Sequence, residues 1–296
     1  MPLYDASHFT VPESKRYVTS WLLRPSVLAL YRLLFALYIF VTILTTFIVG
    51  GVTHNSFLLG TEFTYFTFLG YWGLGCYFAV AGTHTLGYAR SGSFLLQRPG
   101  TLGKGLRLAH AVLYASVTVY PFVVTAVFWG FLSKGATAFP FATWSNVSMH
   151  ALNSVFAFFE IVVPRTRPHA WVMLLPLVVM LAMYLGLTYV SHAIRGYYVY
   201  PFLDPSNGVG LVAGAIVGVL VATCIAFAIV KGVMAGRFKD SDGKGNMGIL
   251  SERDASRGGG ERAGVRNATR GRRRNRNEAE AYEVEEISTQ FPKVRQ

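Results

Sequence analysis

The feature that most constrains this chain is a series of long apolar segments from which charged residues are largely excluded. Six such windows are long enough for a helix to cross the core of a bilayer, which takes about 20 residues. They cover residues 27–50, 60–86, 108–131, 145–164, 170–192 and 209–235. A bilayer has no water to satisfy backbone polar groups, so segments of this kind form helices. The sequence therefore predicts an all-α membrane protein, a bundle of six transmembrane helices.

The composition argues against an ordinary soluble domain. Hydrophobic residues make up 52% of the 296 residues and charged residues only 14%, whereas average proteins carry about 25% charged residues. The first window follows a fairly polar segment and is too long for the apolar part of a signal peptide, so we expect it to remain as a signal anchor. Both cysteines, Cys76 and Cys224, fall inside predicted spans, so neither a disulfide framework nor a Cys-based metal site is expected.

Lysine and arginine residues are unevenly divided between the two sets of loops. One side carries Lys15, Arg16, Arg24, Arg90, Arg98, Lys104, Arg107, Arg165 and Arg167. The other side carries Lys134 and Arg195. By the positive-inside rule both termini are expected in the cytosol, with the protein in an endomembrane such as the endoplasmic reticulum or in the plasma membrane. The predicted organisation is a cytosolic segment 1–26, a transmembrane domain 27–235 and a cytosolic tail 236–296.

The predicted tail has too few apolar residues to form a core, so we expect it to be disordered. It contains the Arg/Gly-rich run RGGGERAGVRNATRGRRRNRN, followed by the acidic EAEAYEVEE. Such a run can bind RNA. Beside a membrane, attraction to anionic lipid is the simpler interpretation, so nucleic acid is not the expected partner. A solvated tail with no specific partner is the open alternative.

The sixth window contains a doubled small-xxx-small pattern, formed by Gly210, Gly214 and Gly218. This spacing allows another helix to approach closely. We expect these glycines to pack within the bundle, and the same face would also serve an oligomer.

Polar residues in the fourth window form one stripe. Asn146, His150, Asn153 and Glu160 fall within about 80° of one another when residues are spaced at 100°. Lipid cannot satisfy these groups, so the stripe is expected to face the bundle interior or a wet cavity.

Depth divides this stripe into two parts. Glu160 is expected about 15 Å deeper than His150, close to the cytosolic end of its span. Arg32 of the first window lies about 8 Å in from the same side. We therefore predict a structural Arg32–Glu160 ion pair.

His150 is expected in the outer third of the bundle, the lumenal or extracellular side, together with several other polar residues. Thr67 of the second window reaches about the same depth, roughly 10 Å below the outer boundary. Thr64 and Tyr71 share its helix face. The end of the fifth window and the following loop bring His192 and Tyr200 to this side.

These residue types suit acyl transfer. A threonine hydroxyl is a poor nucleophile unless an imidazole takes its proton as it attacks an ester carbonyl. Asn146 or Asn153 can donate to the developing oxyanion. The remaining polar residues, Thr64, Tyr71, His192 and Tyr200, are candidates for support or substrate contact. No cofactor is required for this chemistry, and the expected substrate is a lipid from the bilayer.

Two other classes of function fit parts of the same pattern. One is a non-enzymatic multi-pass protein, either a small transporter or a partner-binding subunit, with a polar cavity on the outer side. The other is a metal hydrolase built on His84, His110 and His169, which share a level. These histidines lack a ligand spacing such as HxxxH, so interfacial histidines without metal are the favoured interpretation.

Several short segments resemble the androgen-induced gene 1 protein family, which includes the androgen-dependent TFPI-regulating protein. They are YFTF at 65–68, AVFW at 126–129, WSNVSMH at 144–150, FE at 159–160 and GYYVYPFLD at 196–204. They occur in order over about half of the chain.

The resemblance implies a threonine hydrolase that cleaves fatty acid esters of hydroxy fatty acids, with Thr67 as nucleophile and His150 as the essential histidine. Two family histidines are replaced, because Val147 stands three residues before His150 and Ser191 precedes His192. The resemblance identifies no third residue that orients His150, so the expected site is a Thr/His dyad.

Overall fold

The structure is a computed structural model that describes residues 10–54 and 60–238. The chain divides into two units, Met1–Lys239 and Asp240–Gln296, and the second unit lies outside the described residues. The sequence predicts that the tail 236–296 is disordered and binds anionic lipid. From residue 239 onward this tail lies outside the described residues.

Six long helical elements follow one another through the described residues, where the only strand-like pairing is one isolated bridge between Ser20 and Pro164. In chain order they are α1 (Pro25–Val52), α2 (Phe66–Ser91), α3 (Gly100–Val127, extended by the π-helical turn Phe128–Leu132), α4 (Pro140–Val147, the π-helical turn Ser148–Leu152 and Asn153–Val162), α5 (the 3₁₀ turn Trp171–Met173 and Leu174–Arg195) and α6 (Val209–Phe238). The all-α class is confirmed for this part of the chain.

Four of these helices, α1, α3, α5 and α6, are long and apolar enough to cross a membrane. The other two, α2 and α4, are less apolar because polar residues are spread along them, including the candidate site residues. The structure therefore supports a multi-pass membrane protein with four candidate spans. Six spans and cytosolic termini remain predictions.

Local sequence accounts for several helix ends. Pro25 and Pro140 occupy the first turns of α1 and α4, where a missing N–H costs nothing. Gly92 and Gly196 end α2 and α5 in the left-handed conformation, with φ of +69° and +77°, which glycine adopts without strain.

The closest helix pair is α1 against α2, and two glycines make the approach possible. A Cβ atom added at Gly75 would lie 2.8 Å from Cγ2 of Ile39, and one added at Gly82 would lie 2.8 Å from Cδ2 of Leu33. Ile39, Tyr77 and Phe78 are completely buried at this interface.

A buried ion pair joins α1 to α4. The guanidinium of Arg32 pairs with the carboxylate of Glu160, with Nε at 3.1 Å from Oε2, and both residues are fully buried. Tyr77 donates to the carboxylate at 2.6 Å, and Arg32 also donates to Thr85 at 2.6 Å and to the carbonyl of Tyr17 at 2.8 Å. These contacts satisfy the polar groups that a buried charge pair needs.

The glycine face of α6 does not pack as predicted. Cβ atoms added at Gly210, Gly214 and Gly218 would meet no described atom within 4 Å. The expectation of packing within the bundle was wrong for the described part of the chain. The face lies among exposed apolar side chains of α6 such as Val217 and Val221, as expected of a surface toward lipid.

Candidate active site

Thr67 lies at the start of α2, where three cavities meet. Tyr65 precedes the helix in extended conformation, so Thr67 is the second helical residue. The cavities have volumes of about 240, 310 and 710 Å³, and Thr67 lines each of them. Their walls are mainly apolar, which suits the acyl chains of a lipid.

The hydroxyl of Thr67 makes no hydrogen bond within the described part of the chain. Other threonines inside the helices donate to a backbone carbonyl three or four residues earlier, as Thr46, Thr83 and Thr85 do. That backbone bond is the usual state of threonine in membrane helices. The Thr67 hydroxyl is therefore free to react or to bind a ligand.

His150 is held at the centre of the π-helical turn of α4, with 8% of its surface exposed. Its Nδ1 atom lies 3.1 Å from the backbone carbonyl oxygen of Asn146. A carbonyl only accepts, so Nδ1 carries the proton and Nε2 of the neutral ring is the basic nitrogen. Phe128 stacks on the imidazole, with ring centroids 3.4 Å apart and planes 15° apart.

A second contact fixes the backbone at this position. Trp129 donates its indole N–H to the carbonyl oxygen of His150 at 3.0 Å. Phe128 and Trp129 belong to the π-helical turn of α3, so two π-helical turns meet around the imidazole. Such turns are frequent at functional sites because they redirect side chains.

Thr67 and His150 line the same cavity of about 710 Å³ without hydrogen-bonding to each other. Asn146, Tyr200 and Glu62 line it as well. A substrate group can therefore enter the cavity beside both the hydroxyl and the imidazole. Catalytic hydrogen bonds are often absent without substrate and form only in the enzyme–substrate complex.

The amino-terminal turn of α2 presents backbone amides beside Thr67. The amide of Phe66 donates to Tyr184 Oη at 2.9 Å and to Tyr200 Oη at 3.2 Å. No described group accepts from the amides of Thr67 and Phe68. These two backbone amides are therefore available to donate to a group bound beside the Thr67 hydroxyl.

The other predicted site residues are distributed differently. Asn146 donates to the carbonyl of Ala136 at 3.0 Å. Asn153 accepts from Thr125 at 3.2 Å and lines the 310 Å³ cavity, as Tyr71 does. Asn153 and Tyr71 thus share a cavity with Thr67, but neither lines the cavity that contains His150.

Thr64 and His192 line none of the three cavities. Thr64 donates to the carbonyl of Thr61 at 2.6 Å. His192 stacks on Tyr198, with ring centroids 3.8 Å apart. The two residues are placed beside the site and not in it.

Sequence reasoning missed Glu62 and Tyr184. Glu62 lies in the 3₁₀ turn before α2 and lines the His150 cavity, and burial raises the pKa of its carboxyl to about 7. An acidic residue at the beginning of an apolar window was the available signal. Tyr184 of α5 also donates to the carbonyl of Thr64 at 2.8 Å, a contact that depends on tertiary packing.

The three histidines considered as metal ligands do not form a metal site. The rings of His84 and His110 lie 6.3 Å apart, and His169 bonds through Nε2 to Thr118 Oγ1 at 2.9 Å. Within residues 10–54 and 60–238, no group of three His, Cys, Asp or Glu side chains is arranged to hold a metal ion.

Comparison with known proteins identifies the family. The model of the family described as FAR-17a/AIG1-like protein matches residues 30–233, which include all of α2 to α5. No curated protein and no solved structure matches the chain significantly. The predicted resemblance to the androgen-induced gene 1 family is confirmed, and the chain belongs to the FAR-17a/AIG1-like protein family.

Proposed function

We propose that this protein is an integral-membrane hydrolase of fatty-acid esters, with Thr67 as the nucleophile and His150 as the general base. The observation that carries the proposal is the free hydroxyl of Thr67, which lines the same cavity as an imidazole with a defined tautomer. The membership of the family and the resemblance to threonine hydrolases support the same reading.

The dyad performs the reaction in two half-reactions. Nε2 of His150 takes the proton of Thr67 Oγ1 as that oxygen attacks the ester carbonyl carbon. The tetrahedral intermediate collapses, and the leaving alcohol takes the proton from Nε2. Water then attacks the acyl-threonine, again deprotonated by Nε2, and the fatty acid leaves as Thr67 regains its proton.

The oxyanion is stabilised in this scheme by the free amides of Thr67 and Phe68. Both lie in the first turn of α2, where the helix dipole also favours negative charge. The predicted donors Asn146 and Asn153 are second choices. The side-chain amide of Asn146 already donates to the carbonyl of Ala136, and Asn153 does not line the cavity that contains His150.

The proposed topology has six spans and both termini in the cytosol. The dyad then faces the lumenal or extracellular side of an endomembrane or the plasma membrane, and the ester reaches it from the bilayer. The lateral walls of the 240 and 310 Å³ cavities are apolar and consistent with acyl-chain binding.

The test uses the full chain purified in detergent. Thr67→Ala is expected to lose both hydrolysis of a branched fatty-acid ester and labelling by a fluorophosphonate probe. His150→Ala should slow hydrolysis by about 10²–10⁴-fold. Thr83→Ala is the matched control, since Thr83 lies on the same helix and its hydroxyl donates to Ala79 and Val80 carbonyls.

Hydrolysis and labelling that both survive in Thr67→Ala would overturn the assignment of the nucleophile. Absence of hydrolysis in the wild type, together with saturable binding of a solute or lipid, would favour the alternative of a non-enzymatic membrane protein with a ligand-binding cavity.

A further inference from the structure

The 240 and 310 Å³ cavities both border Thr67 and share one wall. Phe66, Val124 and Tyr184 line both of them. Beyond this wall, the 240 Å³ cavity is lined by α3, α5 and α6, and the 310 Å³ cavity by α2, α3, α5 and one residue of α4. An ester has a chain on each side of the bond that Thr67 would attack, so each cavity can hold one chain.

The polar lining of the 240 Å³ cavity is limited, among the described side chains, to Thr67 and two phenols. The phenol oxygens of Tyr184 and Tyr200 both accept from the amide of Phe66, at 2.9 and 3.2 Å. All the other described residues that line this cavity are apolar. The cavity therefore suits a plain hydrocarbon chain.

The 310 Å³ cavity contains a polar side chain of a different kind, that of Asn153 from α4. Only 5% of Asn153 is exposed. Its Oδ1 atom accepts from the backbone amide of Ser154 at 2.7 Å and from the hydroxyl of Thr125 at 3.2 Å. Since a backbone amide only donates, this bond distinguishes Oδ1 from Nδ2 and fixes the orientation of the side-chain amide.

Three hydroxyls that line the 310 Å³ cavity already donate to backbone carbonyls. The pairs are Ser116 with Leu113, Tyr120 with Leu177 and Tyr184 with Thr64, at 2.8, 2.6 and 2.8 Å. The hydroxyl of Tyr71 is enclosed in the protein beside Thr42 of α1. Apart from Thr67, Asn153 is therefore the lining residue with a donor available to this cavity, because its Nδ2 atom has no acceptor among the described residues.

An amide N–H that is buried without an acceptor lowers stability, and an acceptor carried by a ligand removes that cost. A hydrocarbon chain has no acceptor, whereas the oxygen of an oxo, hydroxyl or carboxyl group on the chain is one.

We propose that the 310 Å³ cavity binds an oxygenated fatty chain, with Nδ2 of Asn153 donating to an oxygen of that chain, while the 240 Å³ cavity binds the plain hydrocarbon chain of the same ester. The inference rests on the proposed function, and it makes Asn153 a residue that determines specificity without taking part in the chemistry. The hydroxy fatty acid part of the esters that the resemblance implies belongs to this class, because its carboxyl group carries acceptor oxygens.

The experiment scans the position of one oxygen along a fatty chain. Branched fatty-acid esters carry a single oxo group at successive carbons, on the acyl chain in one series and on the alcohol chain in the other, and the full chain is assayed in detergent. Because Nδ2 of Asn153 has a fixed position in the bundle, kcat/KM of the wild type should peak at one position in at least one series, about fivefold above the neighbouring positions. A flat response in both series overturns the inference and leaves bound water as the only partner of Nδ2.

Two substitutions of Asn153 test whether its amide causes the peak. Asn153→Leu has a similar volume and no donor, so it should abolish the peak. Asn153→Gln keeps the amide and moves it by one methylene, so it should shift the peak along the chain, and it remains a test if the leucine variant does not fold. Tyr120→Phe is the matched control and should keep the peak, since Tyr120 lines the same cavity but its hydroxyl donates to the carbonyl of Leu177.

A peak that both Asn153 substitutions leave in place overturns the role of this residue. A loss of kcat in Asn153→Leu that is equal for oxo and unsubstituted esters would place Asn153 at the reacting carbonyl, and this result also overturns the inference.

Binding separates this inference from the proposed function. Ether analogues of the same oxo lipids cannot be hydrolysed, and the rise in melting temperature that they cause should peak at the same position of the oxo group. A peak in binding without hydrolysis of any ester overturns the proposed function and leaves the oxygen preference standing. Hydrolysis without a position-dependent peak in kinetics or binding overturns the oxygen preference and leaves the proposed function standing.

Discussion

The Nδ1 atom of His150 lies 3.1 Å from the backbone carbonyl oxygen of Asn146, four residues earlier in the same helix. The carbonyl sets the tautomer that leaves Nε2 basic, a role that a carboxylate has in a Ser-His-Asp triad. A neutral carbonyl stabilises the imidazolium less than a carboxylate does. The proposed dyad thus needs no third side chain, because the backbone geometry of α4 and the ring of Phe128 orient the imidazole.

The Phe128 ring is expected to position the imidazole of His150, the proposed general base, by stacking on it. Phe128→Leu should lower kcat by about tenfold, because the ring of His150 gains rotational freedom and spends less time in the productive orientation. Steady-state kinetics on the branched fatty-acid ester used to test the proposed function measures this effect.

Phe128→Tyr provides the control, since it keeps the aromatic face against the imidazole. It should retain kcat within about threefold. If the leucine variant raises KM and leaves kcat unchanged, Phe128 serves only as part of the cavity wall.

The Arg32–Glu160 pair is expected to contribute to stability and not to catalysis. Glu160→Gln leaves the guanidinium of Arg32 buried without its counter-ion, and such a loss costs about 3–5 kcal/mol. The double substitution Arg32→Met, Glu160→Leu should cost less than the sum of the two single changes. Unfolding in detergent by heat or denaturant measures these differences.

Arg167→Gln is a control for the loss of an ion pair, since Arg167 pairs with Glu13 at 3.0 Å at the surface. It should change the unfolding free energy by no more than about 1 kcal/mol. Additive effects at Arg32 and Glu160 would show that the two groups do not interact in the folded protein.

Much of the fold and part of the site can be predicted from sequence because depth in a membrane follows residue count. Counting along straight helices put Arg32 level with Glu160, and the structure pairs them. The same counting put Thr67 level with His150, and the two line one cavity. Both arguments depend on the constant rise per residue of an α-helix and on a bilayer core of the same thickness for every predicted span.

The details that sequence reasoning missed depend on local departures from regular helix and on tertiary contact. The π-helical turn at Ser148–Leu152 breaks the 100° spacing, so the predicted angles between His150, Asn153 and Glu160 do not hold. All three side chains are nevertheless buried, as the stripe predicted. Asn153 accordingly lines a different cavity from His150. The exposed position of Gly214 could not be read from a spacing pattern that interior and lipid-facing glycines share.

Replacing a glycine of α2 and a glycine of α6 by leucine should affect the stability of the protein differently. Gly75→Leu is expected to destabilise the protein by at least about 1–3 kcal/mol, because even a Cβ atom there would lie 2.8 Å from the branched side chain of Ile39. Gly214→Leu should not destabilise it, since a Cβ atom there meets no described atom within 4 Å.

Thermal unfolding of both variants in the same detergent makes this comparison, and size-exclusion chromatography reports the oligomeric state alongside. A shift of Gly214→Leu from oligomer to monomer would show that the glycine face binds a second copy of the chain. Equal destabilisation by both substitutions would contradict the packing described for α1 and α2.

The buried carboxyl of Glu62 is expected to make the stability of the protein fall as pH rises. Burial raises its pKa from the ordinary value of 4.5 to about 7 in the folded protein, because burial disfavours the charged form. Between these two values the folded state therefore binds more protons than the unfolded state, and stability decreases with increasing pH. Glu62→Gln removes this dependence, so its melting temperature should exceed that of the wild type by a margin that grows from about pH 4.5 and levels off above about pH 7.

Melting temperatures of the two proteins across this range, in one detergent and at constant ionic strength, measure the margin. Tyr65 and Tyr200 line the same cavity as Glu62, and burial raises the pKa of each phenol above its ordinary value, so both stay protonated across this range in the two proteins. His150 also lines the cavity and is present in both proteins. A margin that stays constant with pH would show that Glu62 is solvated and ionised in the folded protein.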